Sequence, residues 1–117
     1  MDKQTSSIVN RFRDVFQKHD PRDLSDITAE ECVLETPDGA RYEGREACVA
    51  FWSVVASDRN IQFDEERIDI VGDRGLIFWR LPLGDDKYVR GVNIIHVRDG
   101  KIVETRGYVK SPEGAGL

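Results

Sequence analysis

Between residues 61 and 110 the chain alternates apolar and polar side chains almost without interruption, broken only by short turns rich in Gly and Asp. A period of two is the pattern of strands with one covered and one open face. Successive strands are read at Ile61 to Val71, Leu76 to Leu83, Lys87 to Val97 and Lys101 to Lys110. Strands joined by tight turns pair with their sequence neighbours, so this half of the chain predicts an antiparallel meander. Its apolar face has to be covered by whatever precedes it.

The preceding residues supply helices. Ile8, Val9, Phe12, Val15 and Phe16 recur at helical spacing behind a cap at Thr5 or Ser6, and Asp20-Pro21 stops that segment. A short turn or helix is predicted over Arg22 to Ile27. Glu31 to Thr36 and Ala40 to Glu43 read as a hairpin about Pro37-Asp38-Gly39. Gly44 then opens a helix over 45–57 that buries Cys48, Phe51, Trp52 and Val55. Helices segregated from a meander give an α+β class. At 117 residues there is room for one domain with a core over about 5–110, and 111–117 reads as a frayed tail.

Composition narrows the partners. A net charge of −5 gives no basic footprint for nucleic acid or anionic membrane, and no apolar run is long enough to cross a bilayer. Cys32 and Cys48 lack Cys-x-x-Cys spacing and read as buried free thiols, and Met1 to Thr5 carries no apolar leader, so a cytoplasmic protein is expected. His19 and His96 fall on different elements, and neither a metal nor a cofactor is predicted. His19 reads as a partner for the end of the first helix.

The last two strands, Gly91 to Val97 and Lys101 to Lys110, line one wall of a predicted pocket. A two-residue turn at Asp99-Gly100 would mix Glu104 and Arg106 with Ile95 and Asn93 on one face, whereas a three-residue turn at Arg98-Asp99-Gly100 segregates charge from apolar groups. The second register is the one expected. It sets Asn93 opposite Thr105 and Gly91 opposite Gly107, the glycines leaving space for a cavity or, alternatively, merely easing strand bending. With a tight turn at Asp85-Asp86, Arg80 would face Gly91 and Phe78 would face Asn93. Arg80 then reads as a clamp for a carboxylate, or as a guanidinium already paired with a protein carboxylate. The strand's other side, with Trp79, is left as an apolar patch for a homodimer.

The segment Gly91-Val92-Asn93-Ile94-Ile95-His96-Val97-Arg98-Asp99-Gly100-Lys101-Ile102-Val103-Glu104, the closing Arg106-Gly107-Tyr108-Val109-Lys110, and Arg41-Tyr42-Glu43-Gly44-Arg45-Glu46-Ala47 ahead of Phe51-Trp52 together resemble the SnoaL-like branch of the nuclear transport factor 2-like superfamily. That resemblance implies a cone-shaped fold of the cystatin-like type, with a curved antiparallel sheet against about three N-terminal helices. The superfamily includes isomerases, cyclases, epoxide hydrolases and non-enzymatic binders. Matched by motif to its ketosteroid isomerases, the two oxyanion donors fall on Phe12 and Asn93 and the base on Thr36. Only Asn93 keeps donor capacity. Of the Asp-Arg-Asp arrangement of the epoxide hydrolases, Arg80 alone has a counterpart.

The resulting expectation is a domain that binds a hydrophobic, carbonyl- or carboxylate-bearing small molecule, with Arg80, Asn93, Thr105 and Thr36 as polar contacts and Phe12, Trp52, Phe78 and Val109 as walls. An enzyme version adds isomerase, cyclase or lyase chemistry carried by Arg80 and Asn93 without a cofactor. The alternative is a non-catalytic dimeric protein-interaction module using the Trp79 face. Asp64-Glu65-Glu66 and Asp85-Asp86 read as solvated surface.

Overall fold

A computed structural model describes residues 2–110 of the chain, so the tail expected over 111–117 lies outside the described residues. Helix α1 (Asp2–Gln17) begins three residues ahead of the expected cap at Thr5, which is itself buried. It ends before Asp20-Pro21 because His19 takes a left-handed conformation (φ 54°) and the Asp20 amide returns to the Val15 carbonyl at 3.0 Å. That is a Schellman closure with histidine in the position glycine usually fills. The His19 ring then holds a second helix end, with Nδ1 3.0 Å from the Ala56 carbonyl. A one-turn 3-10 segment (Pro21–Asp23) leads into the four-residue helix α2 (Leu24–Ile27), and α3 (Arg45–Ser57) occupies the predicted span.

The strands are β1 (Thr28–Glu35), β2 (Arg41–Glu43), β3 (Asp64–Val71), β4 (Arg74–Gly84), β5 (Lys87–Arg98) and β6 (Lys101–Val109), in one sheet of order β2-β1-β6-β5-β4-β3. The expected cone-shaped, curved antiparallel sheet is corrected here. β1 runs parallel to β6, pairing Leu34 with Thr105, so the sheet is mixed. No tight turn joins these two strands, and nothing therefore imposes an antiparallel sense on them. The edge strands β2 and β3 do not pair with each other, leaving the sheet open and not strongly curled. The α+β class and the three N-terminal helices stand.

Helices α1 and α3 cover one face. Ile8, Val9, Phe12 and Val15 from α1 and Cys48, Trp52 and Ala56 from α3 meet Cys32, Leu34, Ile77, Ile95, Val97 and Ile102 of the sheet in a single buried cluster. Gly75 sets how closely α1 approaches β4: a Cβ there would collide with the Val9 side chain. Cys32 and Cys48 are buried free thiols, and burial pushes both upward from the usual thiol range. The Cys48 thiol donates to the Cys32 carbonyl at 3.5 Å.

Two bulges decide which side chains face the helices. Between β4 and β5 the turn is two residues, Asp85-Asp86, both left-handed, but Leu83 is an extra residue between the pairs Pro82–Tyr88 and Gly84–Lys87. One extra residue reverses the parity of everything beyond it. Trp79 consequently pairs with Gly91 and Ile77 with Asn93, and the expected pairings of Arg80 with Gly91 and Phe78 with Asn93 are not formed. Between β5 and β6 the turn is Asp99-Gly100, again left-handed at both positions, with Arg98 opposite Lys101. The three-residue turn is therefore corrected. Val103 is extra between Val97–Ile102 and His96–Glu104, and that bulge achieves the separation of charge for which the longer turn was expected.

Candidate functional site

The cavity lies between the inner face of the sheet and the helices α1 and α3, with a volume of about 330 Å³. Its walls are mainly apolar. Phe12 and Phe16 come from α1, Phe51, Trp52 and Val55 from α3, and Leu34, Ile77, Trp79 and Leu81 from the sheet, with Phe63 and Pro37 from the connections. The aromatic groups lock one another: Trp52 meets Phe12 edge-on at 5.0 Å, and Phe63 meets Trp79 edge-on at 5.2 Å.

Of the predicted contacts, Phe12, Thr36, Trp52, Asn93 and Thr105 line this cavity. Asn93 stands opposite Gly107, not Thr105, while Thr105 pairs with Ile95, so the two polar residues are diagonal neighbours on one face. Gly107 is where a side chain would crowd the Asn93 carboxamide oxygen, 3.1 Å from a Cβ built there. The Asn93 carboxamide makes no hydrogen bond within the described residues and is open to the cavity. Behind the wall, the Trp79 indole N–H and the Thr105 hydroxyl are buried without partners. Each such orphan costs about 1–3 kcal/mol, and these two are the buried side-chain donors left without a partner among the described residues. Thr36 is different, because its hydroxyl already donates to Asp38 and thereby holds that carboxyl below the usual range.

Three predicted contacts lie elsewhere. Arg80 and Phe78 share the outer face, where the Arg80 guanidinium sits 3.6 Å from Asp64 and stacks over Tyr88 at 4.5 Å, and Arg67 stacks over Phe78. The guanidinium thus has a protein carboxylate, the second of the two readings entertained for it. Val109, opposite Gly91, has the inner parity but is exposed beyond the cavity. Gly91 does not leave empty space either: the Trp79 indole lies across it, 2.8 Å from a built Cβ at Cε2. Trp79 therefore belongs to the cavity wall, and the apolar patch assigned to its face is turned inward.

Sequence reasoning missed Trp79 and an ion pair. Glu65 lines the cavity and binds Arg13, Nη1 to Oε1 at 3.0 Å, an interaction that raises the Arg13 pKa. The available signal was that Ile77, Trp79 and Leu81 form the uncharged stripe of β4, while the other parity carries Arg80. Glu35 also reaches the cavity rim, but its register opposite Arg106 gives it outer-face parity. The cavity thus has hydrogen-bonding groups and, of inner-face parity, one carboxylate, Glu65, already paired with Arg13.

The family model of the SnoaL-like domain matches residues 9–105. The chain belongs to the SnoaL-like family. Through it the protein is a member of the NTF2-like superfamily, related in fold to ketosteroid isomerases and polyketide cyclases. A crystal structure of an NTF2-like protein of unknown function from Mesorhizobium loti is 50% identical, with a TM-score of 0.87 over 94% of this chain and 93% of that one. A steroid delta-isomerase from Pseudomonas aeruginosa is 16% identical, with a TM-score of 0.79 over 95% and 82% of the two chains. A putative SnoaL-like polyketide cyclase from Jannaschia sp. is 18% identical, with a TM-score of 0.74 over 92% and 86%. At these last two identities the likeness is one of fold. No curated protein matches the chain. Among the described residues of this SnoaL-like domain, no helix is long and apolar enough to cross a membrane, and no cluster of His, Cys, Asp and Glu could hold a metal ion.

Proposed function

We propose that this SnoaL-like domain binds a hydrophobic small molecule through a carbonyl or carboxylate oxygen received by Asn93. The observation that carries the reading is an unpartnered carboxamide on the wall of a mainly apolar cavity. An apolar pocket with few convergent polar groups is the usual form of a small-molecule site. Binding is better supported than turnover, because the cavity carboxylate, Glu65, is held by Arg13 and Arg80 is on the opposite face. Isomerase, cyclase or lyase chemistry would draw its charge stabilisation from Asn93 alone. Two free thiols support placing the protein in the cytoplasm.

Adamantyl methyl ketone, a compact apolar ketone, tests the reading. Asn93→Leu should weaken its binding by about tenfold while leaving thermal stability unchanged or higher, since the Asn93 carboxamide makes no bond among the described residues. Equal affinity in the two proteins would remove Asn93 from the site.

A second reading, a homodimer or a docking module, is favoured by a different surface. The outer face carries Leu76, Phe78, Val92 and Ile94, all only half-buried in the single chain. Phe78→Glu is the discriminating variant in place of a change at Trp79. A concentration-dependent mass in solution that this substitution reduces to the monomer is expected, and a monomer mass at every concentration in the parent protein would end the dimer reading.

A further inference from the structure

We propose that the cavity is selective for an uncharged carbonyl ligand and rejects the matching carboxylate. This rests on the preceding reading of the site and narrows it. Arg13 is the one cationic side chain on the wall among the described residues, and its guanidinium already lies between two protein carboxylates. Nε donates to Asp14 Oδ1 at 3.0 Å, Nη2 lies 3.0 Å from the same oxygen, and Nη1 donates to Glu65 Oε1 at 3.0 Å. Two carboxylates therefore surround one cation before any ligand arrives. Glu65 is itself part of the wall.

A ketone oxygen asks only for a neutral donor, and the Asn93 carboxamide supplies one. A carboxylate asks for more. Moved from water onto an apolar wall without a free counter-charge it is disfavoured, and near the solvent-exposed Glu65 it meets its own sign, an effect that water screens in part. Arg13 already faces Asp14 and Glu65, so a ligand carboxylate at its remaining N–H groups would be a third negative charge about one positive one. Exchanging one carboxylate for another at Arg13 gains no net pairing, so the charge term remains against the anion.

The cavity sets the size of the probe. A volume of about 330 Å³ lies at the lower end of small-molecule pockets and suits a compact cage hydrocarbon with a small substituent. Adamantyl methyl ketone and adamantane carboxylate have the same number of non-hydrogen atoms and differ in charge, and ethyladamantane lacks the acceptor. Both tryptophans of the chain, Trp52 and Trp79, line the cavity, so intrinsic fluorescence reports binding directly.

At neutral pH the ketone should bind at least about tenfold more tightly than the carboxylate, and more tightly than ethyladamantane. In Glu65→Gln the guanidinium is freed towards the cavity, and the ketone-to-carboxylate affinity ratio should fall by about tenfold. A carboxylate that binds the parent protein as well as the ketone does would overturn the selectivity while leaving the binding site intact. An unchanged ratio in Glu65→Gln would overturn its assigned origin in the Arg13–Glu65 pair. Failure of all three probes, ethyladamantane included, would instead remove the binding reading itself, and the selectivity with it.

Discussion

Trp52→Ala is expected to destabilise the domain by about 3–5 kcal/mol, the range for deleting a buried indole. Trp52 is only 3% exposed, and it is the group through which α3 meets α1, its ring set edge-on against Phe12 at 5.0 Å. Phe12 contacts Phe16 in the same manner, so the loss would loosen an aromatic stack and widen the cavity. Since a domain of this kind is stable by only about 5–15 kcal/mol, the urea midpoint should fall by a large fraction of its value with little change in slope. A loss below about 1 kcal/mol would show that Trp52 is a movable cover of the cavity and not part of its frame.

Gly91→Ala should cost about 2–3 kcal/mol, although alanine is ordinarily a better strand residue than glycine. A Cβ at this position would stand 2.6 Å from the Tyr108 carbonyl and 2.8 Å from Trp79 Cε2. The indole can be removed by a second substitution, and the backbone carbonyl cannot. Trp79→Leu in the same chain should therefore recover part of the loss, giving a coupling of about 1 kcal/mol by a double-mutant cycle of urea unfolding. Strict additivity would mean that the indole does not lie across Gly91.

The fold was legible where local periodicity and packing agree. The 45–57 helix followed from Cys48 and Trp52 at helical spacing, and Asn93 and Thr105 were assigned to a common face because their separation across the last hairpin preserved parity. What failed was the arithmetic around bulges. Nothing distinctive in the residue identities marks Leu83 or Val103 as extra, yet each shifts a register by one. At β4 the shift exchanged Arg80 and Phe78 for Trp79 and Ile77, and with them a supposed anion clamp for a neutral donor. At β5–β6 a bulge produced the same sorting of charge as the longer turn, so a correct physical criterion selected the wrong turn. The parallel β1–β6 pairing had no local signal, because its partners lie some 70 residues apart, as Leu34 does from Thr105. The Arg13–Glu65 pair was hidden for the same reason: a helix residue and an edge-strand residue meet only once the sheet is laid against the helices.

The position of β6 between β1 and β5 also orders events during synthesis. Until residues near Arg106 have left the ribosome, the strands of the nascent chain can pair at most as two incomplete sheets, one of β1 and β2 and one of β3 to β5, each with an unpaired edge. The last strand is the wedge that joins them, and contacts of such long sequence separation form slowly. An emerging chain is thus exposed to strand-edge association until nearly all of the described residues are made. Thr105, which closes the cavity wall, arrives in that final step, so a chain stopped before β6 would lack the wall on which a ligand could be retained.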